Sequence, residues 1–267
     1  YEKWTTTIPN NIHIMNVIDT EKHKDLSGCG TVYHFCKTIG DYLGDWNTAL
    51  YKKYLGVSII SDVCKFDRSE NRYYVQALYD YLDKHRNNDV LFKQFKHYGS
   101  NKSFIGWTVV PFFNALIRTG EEKLAMNLII NMDNESFVGN IPSLINATKK
   151  KQERTIIEVN NRSVVYEFPH TVLVFREKID GNNHTTVNGL LANKFVDRYK
   201  KNTMVVTYDI DQNIISGSLR GITYGKKELI ENGFEARGHQ HACGVRADID
   251  TMINFLHNFE DTCVNIN

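Results

Sequence analysis

The chain has 267 residues, 42% of them hydrophobic and 24% charged, which is ordinary for a globular protein of one or two domains with a sizeable core. A net charge of +1 excludes a globally basic nucleic-acid binder, so any phosphate-binding surface must be local. No run approaches the roughly 18 apolar residues of a membrane-spanning helix, and the polar stretch from Tyr1 to Asn11 is no signal peptide.

In chain order, Ile12–Ile18 is β-rich and partly alternating, which predicts a strand. Ser27-Gly28-Cys29-Gly30-Thr31 is a turn with helix-capping residues. Val32, Phe35, Cys36, Ile39 and Leu43 then recur at helical spacing. Trp46–Tyr54 predicts a second short helix. Leu55–Ser61 is a short, branched apolar run, read as a buried strand ending at Asp62. Asn71–Lys84 and Val90–Tyr98 predict helices, while Phe104–Phe113 fits no single template. Glu121–Asn131 predicts a helix with acidic residues at its positive end.

Ile141–Asn161 is helical by pattern, with a Lys149-Lys150-Lys151 run and few aromatics. Beyond it the expected strands are Ser163–Phe168, Thr171–Phe175, Met204–Tyr208 and Ile214–Leu219. The expected helices are Val187–Tyr199 and Asp250–Glu260. Strands alternating with helices argue for an α/β class. The composition change places a boundary near 160: a first part over 1–135, a connecting helix over 136–160 and a smaller mixed-sheet domain over 161–267. The five cysteines are widely spaced with no C-x-x-C, and read as reduced thiols in a cytoplasmic protein.

Five places carry residues suited to chemistry. Asp62, at the expected strand end, suits a hard divalent cation, or simply ends the strand and caps a turn. Ser216-Gly217-Ser218-Leu219-Arg220 joins hydroxyls, a glycine and a guanidinium that can bind a phosphate through two parallel bonds, though a polar strand end looks the same. In Arg237-Gly238-His239-Gln240-His241-Ala242-Cys243-Gly244, His239, His241 and Cys243 would share one face if the segment were a strand. That resembles a zinc site, but no further ligand pair has finger spacing; phosphate contact or a buried histidine are the other readings. Asn114 and Arg118 lie four apart, on one side of a helix if Pro111–Arg118 is helical. Asn188 sits where a helix opens, where free amides receive a phosphate or a plain cap suffices. No Walker loop, G-x-S-x-G, Rossmann fingerprint or H-E-x-x-H occurs.

Taken in order, these stretches resemble the RecJ branch of the DHH phosphoesterases over nearly the whole chain. Leu26–Thr31 is similar to that family's L-x-G-x-G. Ile59–Val63, followed by Glu70-Asn71-Arg72, resembles its metal-binding A-D-V segment. Pro111–Ala115 with Arg118 resembles P-x-x-N-A-x-G-R, and Asn188–Ala192 resembles V-G-I-V-A. Ser216–Arg220 resembles G-S-x-R-S, and Gly238–Gly244 resembles G-H-P-x-A-A-G. Ile117, Gln240, Cys243 and Arg237 depart from the pattern and mark a divergent member, with a viral source as one reading.

The resemblance implies the C-terminal part of a DHH-type α/β domain joined by a long helix to a substrate-binding domain. It implies metal-dependent exonucleolytic hydrolysis of single-stranded DNA, with two Mn²⁺ or Mg²⁺ ions. Asp62 would be a catalytic metal ligand. Asn114, Arg118, Asn188, Ser216, Ser218, Arg220, Gly238 and His239 would meet substrate phosphates. The family's Asp-His-His triplet and earlier aspartates are not in these residues. The resemblance therefore implies a chain that starts just after the triplet and has no or feeble activity alone, with the missing ligands upstream or on a separate N-terminal chain. Alternatives are a DHH-type phosphodiesterase of short oligoribonucleotides or cyclic dinucleotides, and a non-catalytic single-strand-binding protein.

Overall fold

The computed structural model describes residues 26–44, 48–99, 102–178, 185–260 and 264–265. The strand expected over Ile12–Ile18 lies outside them. By internal contacts the chain divides into two units. One comprises 1–113 and 128–142, and the other 114–127 and 143–267. No helix among the described residues is long and apolar enough to cross a membrane.

The first unit is helical throughout its described residues. α1 (Gly28–Leu43) begins where the turn chemistry requires. Ser27 has extended backbone, its hydroxyl accepts from the Gly30 amide, and Gly44 closes the helix in the left-handed region. α2 (Thr48–Ser61) corrects one expectation: Leu55–Ser61 is not a strand but the second half of a continuous helix. Leu55 and Ile59 are four apart and both are buried, in a cluster with Tyr33, Tyr74 and Val75. Tertiary packing against α3 (Ser69–His85) outweighs the weak strand preference of the branched residues. Val90–Tyr98 is not an α-helix either. Asp89 Oδ1 accepts from the amides of Leu91 and Phe92, and a 3₁₀ turn over Phe92–Phe95 buries two rings three residues apart. A π-turn (Ile105–Val109) runs into α4 (Val110–Arg118). The short α6 (Glu135–Val138) also belongs to this unit, whereas α5 (Glu122–Ile130) and α7 (Ile141–Asn161) lie mostly in the second.

The second unit is built on a mixed sheet of six strands plus a two-residue seventh, in the order β5-β6-β4-β3-β2-β1-β7. In sequence these are β1 (Val164–Glu167), β2 (Thr171–Glu177), β3 (Asn202–Asp209), β4 (Ile214–Arg220), β5 (Glu235–His239), β6 (Ala242–Asp248) and β7 (Val264–Asn265). Only β2 and β3 run parallel, joined through α8 (Asn188–Tyr199); every other pair is antiparallel. One sheet face packs Met204, Val206, Ile215, Leu219, Cys243 and Val245 with side chains of α9 (Lys226–Glu231) and α10 (Ile249–Phe259). The other face carries Val172, Val174 and Val205 against α7 and α8. β5 and β6 were not expected from the sequence. Their inward positions are the small residues Ala236, Cys243, Val245 and Ala247, too weak an apolar signal to stand out.

Candidate nucleic-acid interface

α8 packs across β3 and β4 and leaves the same face of β6 and β5 open. Register fixes what stands there, because cross-strand partners share a face. One row is Thr203, Arg220, Ala242 and His239. The next is Val205, Ser218, Gly244 and Arg237. The third is Arg176, Thr207, Ser216, Arg246 and Glu235. Ala236, Cys243, Val245 and Ala247 alternate with them and are buried, so Arg237, Gly244 and Arg246 are exposed by the pleat itself, and His239 is exposed at the end of β5.

The first row ends on Arg220. Its Nε donates to Asn193 Oδ1 (2.8 Å) and its Nη1 to the Leu219 carbonyl (2.8 Å). The guanidinium lies over the opening turn of α8: a Cβ added to Gly189 would stand 2.7 Å from Arg220 Nη2. Glycine is thus what permits the approach. Arg118 lies in the same unit. Its carbonyl accepts from Thr186 Oγ1 (2.7 Å), tying the end of α4 to the 3₁₀ turn that precedes α8. Burial lowers the affinity of the Arg118 guanidinium for its proton, and the charge of Arg220 lowers it further. Burial likewise lowers that of Arg220. Two half-buried arginines whose charges repel one another form a site that favours an anion.

Asn188 is fully buried at the start of α8. Its Oδ1 accepts from Arg176 Nη2 (2.6 Å), which leaves the amide Nδ2 without a hydrogen-bond partner. Arg176, itself buried, is pushed down by desolvation to about 10 and remains charged at neutral pH. Above this pair a groove of about 460 Å³ is lined by Thr185, Asn188, Ser216, Glu235, Arg237 and Arg246, among others.

Gly238 has φ +125° and Cys243 Cα close to where a Cβ would be, so the strand end at His239 also requires glycine. Gln240 holds the following turn. Its carbonyl accepts from Lys226 N (2.7 Å), its Oε1 from Lys227 N (3.1 Å), and its Nε2 donates to Glu228 Oε2 (2.8 Å). The face shared by His239, His241 and Cys243 does not form. His239 ends β5, His241 sits in the turn, and Cys243 is buried in the core on the opposite sheet face.

Ser218, Arg220 and His239 therefore gather at one end of the open face, with Ser216 and Asn188 toward the groove, while Gly238 adjoins His239 on β5 and pairs with Cys243 at a position of the opposite face. Asn114 and Arg118 share α4 within the same unit. Asp62 is not at a strand end: it is exposed in the turn that closes α2, its amide bonded to the Ser58 carbonyl. The following Val63 is in the left-handed region at φ 52°, which terminates the helix. No group of three His, Cys, Asp or Glu suited to a metal occurs among the described residues, so these residues do not fit a two-ion centre. The sequence reading did not single out Arg176, Asn193 or Arg246. Only the pairing of β6 with β4 and β5 shows that Arg246 faces the groove.

No protein-family model matches the chain. Two curated relatives align with it at 28% identity over 265 positions: "Putative SPbeta prophage-derived single-strand DNA-specific exonuclease YorK" of Bacillus subtilis (strain 168) and its counterpart in Bacillus phage SPbeta. Each alignment covers 86% of this chain and 46% of the relative, so the chain spans about half the length of the curated relatives it matches. The fold matches RecJ of Thermus thermophilus in complex with Mg²⁺ (TM-score 0.67, 16% identity, 92% of this chain, 39% of that one) and with Mn²⁺ (0.64, 16%, 91% and 37%). It also matches exonuclease RecJ bound to manganese (0.61, 16%, 96% and 66%). The chain is thus homologous to proteins named as single-strand-specific exonucleases, and its fold is that of part of RecJ.

Proposed function

We propose that this chain is the strand-binding portion of a RecJ-like exonuclease that hydrolyses phosphodiester bonds in single-stranded DNA. The observation that carries the reading is Arg220, held by Asn193 over the glycine at the start of α8, with the Arg118 guanidinium near enough to feel its charge. Preorganised guanidinium donors whose charge is relieved by an anion suit a phosphate. Within it, Arg118, Arg220, Ser218, Gly238 and His239 hold the backbone, and Asn114, Asn188 and Ser216 extend the contact. Metal ions, Mn²⁺ or Mg²⁺, belong to the proposal for the whole protein, with Asp62 as one ligand and the others outside this chain. No step through them is derived from the described residues, which do not compose such a site.

The test of binding is a titration of the 267-residue chain with single-stranded oligonucleotides. Arg220→Ala is expected to weaken binding by roughly tenfold to a hundredfold, the range for a hydrogen bond to a charged group. It should also flatten the salt dependence by roughly 0.7 in log–log slope for one phosphate contact on a single strand. Equal affinity and slope in the variant would remove Arg220 from the interface. For hydrolysis, Asp62→Ala in a protein of the relatives' full length should abolish metal-dependent degradation; undiminished degradation would refute the metal role.

A second reading, a single-strand-binding protein without catalysis, accords with Asp62 belonging to no group of three His, Cys, Asp or Glu among the described residues. Chain-length-independent binding with no degradation in the full-length protein would select it.

A further inference from the structure

The open sheet face does not end at Arg220 and His239. Two residues further along the antiparallel strands stand Ser218, Gly244 and Arg237, and two further again Ser216 and Arg246. Successive rows are about 7 Å apart, two residues at roughly 3.4 Å each. That spacing is comparable with the distance between successive phosphates of an extended single strand.

We propose that Arg237 and Arg246 form a second phosphodiester subsite, one or two nucleotides along the strand from the Arg220 site. This rests on the strand-binding reading above and extends it. Three observations converge. Both arginines are exposed on one face and line one groove of about 460 Å³. Gly244 lies across from Arg237, and a Cβ built on it would meet nothing closer than 3.8 Å, so the sheet surface there is open to a ligand. Beneath, Asn188 is fully buried among the lining residues with its Oδ1 committed to Arg176 and its Nδ2 without a partner. Glu235, opposite Arg246, is the carboxylate on the wall. Two exposed arginines outweigh it, and the charge of Arg176 below adds to them. The start of α8, marked by Asn188 among the lining residues, contributes the positive end of a twelve-residue helix.

The experiment uses the whole 267-residue chain with oligothymidylates of two and twelve nucleotides, read by fluorescence anisotropy over a salt series. Four proteins are compared: the parent, Arg220→Ala, the double variant Arg237→Gly with Arg246→Ala, and Gly244→Val. The last fills the open floor on a strand where valine is favourable, so its fold and thermal midpoint should hold. The double variant and Gly244→Val should each weaken binding of the twelve-nucleotide strand by roughly tenfold or more, and leave the dinucleotide within about twofold of the parent. The double variant should also lose roughly 0.7 of salt slope per phosphate released. If Arg220→Ala weakens both oligonucleotides while the double variant and Gly244→Val change neither, the second subsite is overturned and the strand-binding reading stands. Equal losses for the dinucleotide and the longer strand would overturn it too, since they would mark one shared site. If the parent binds neither oligonucleotide, the strand-binding reading itself fails.

Discussion

Lys53 and Asp89 in the helical unit, and Arg176 with Asn188 in the sheet unit, are both polar pairs buried beneath the surface, yet they are built differently. Lys53 Nζ meets Asp89 Oδ2 at 2.6 Å and Tyr81 OH at 3.0 Å, and Asp89 spends its other oxygen on the amides of Leu91 and Phe92. Both side chains are 4% exposed, and opposite charges close on each other. Arg176 instead donates to a neutral amide that lies under a groove, and that amide keeps its own nitrogen without a partner. A buried charge answered from within serves to hold elements in place. A buried charge beneath a groove, paired only with a neutral amide oxygen, adds positive potential that favours an anion there. The helical unit thus carries its polar chemistry inside, whereas the sheet unit directs it outward.

The strongest way to break this comparison is Asp89→Ala. It leaves Lys53 buried without its counter-charge and should cost about 3–5 kcal/mol. Urea denaturation followed by amide exchange should show α2 and α3 losing protection while β2–β4 keep theirs. A loss below about 1 kcal/mol would mean the pair is not structural.

Acid should probe the same pair. Burial pushes the Asp89 carboxyl up, but hydrogen bonds from Lys53, the Phe92 amide and Tyr81, with the Lys53 charge, bring it below its ordinary value. A carboxyl depressed on folding contributes stability above its unfolded value, near 3.9, and loses it as pH falls through the folded value. The urea midpoint should therefore drop below about pH 4, and Asp89→Asn should flatten that part of the profile. An unchanged profile in the variant would assign the acid sensitivity elsewhere.

The sheet unit should show the reverse pattern, with function moving more than stability. Gly189→Ala puts a Cβ against the far end of the flexible Arg220 side chain. Stability should change by less than about 1 kcal/mol, since Gly and Ala differ by about that in a helix, while affinity for single strands falls several-fold. Unchanged affinity would mean that the Arg220 position over α8 is immaterial. The smallest effect expected is that of Gln240→Ala. Losing its side-chain bonds to Lys227 N and Glu228 should cost about 1 kcal/mol in thermal or urea unfolding. No measurable change would show that backbone bonds alone hold the turn.

Much of the sheet unit was legible in the sequence because its strands and helices are separately periodic. Val187–Tyr199 becomes α8 and Thr171–Phe175 the core of β2 with only terminal changes. Leu55–Ser61 misled because a short branched apolar run has no period of its own, and the choice between helix and strand was made by its packing on α3. Phe234–Asp248 was assigned no element from the sequence, since its buried positions are small and give too weak an apolar alternation.

By itself, the sequence determined the ordered motifs, the half of the chain that carries most of them, and the candidate residues Ser218, Arg220 and His239. Local chemistry suffices for these: a guanidinium, a hydroxyl and a flexible glycine are recognisable wherever they fall. Tertiary structure decided which residues share a face. Strand pairing aligned Arg237 and Arg246 with Ser218 and Ser216 across long stretches of chain, laid Arg220 over α8 and placed Arg176 under Asn188. Such neighbours are set by register and packing between distant segments, and no spacing along the chain encodes them.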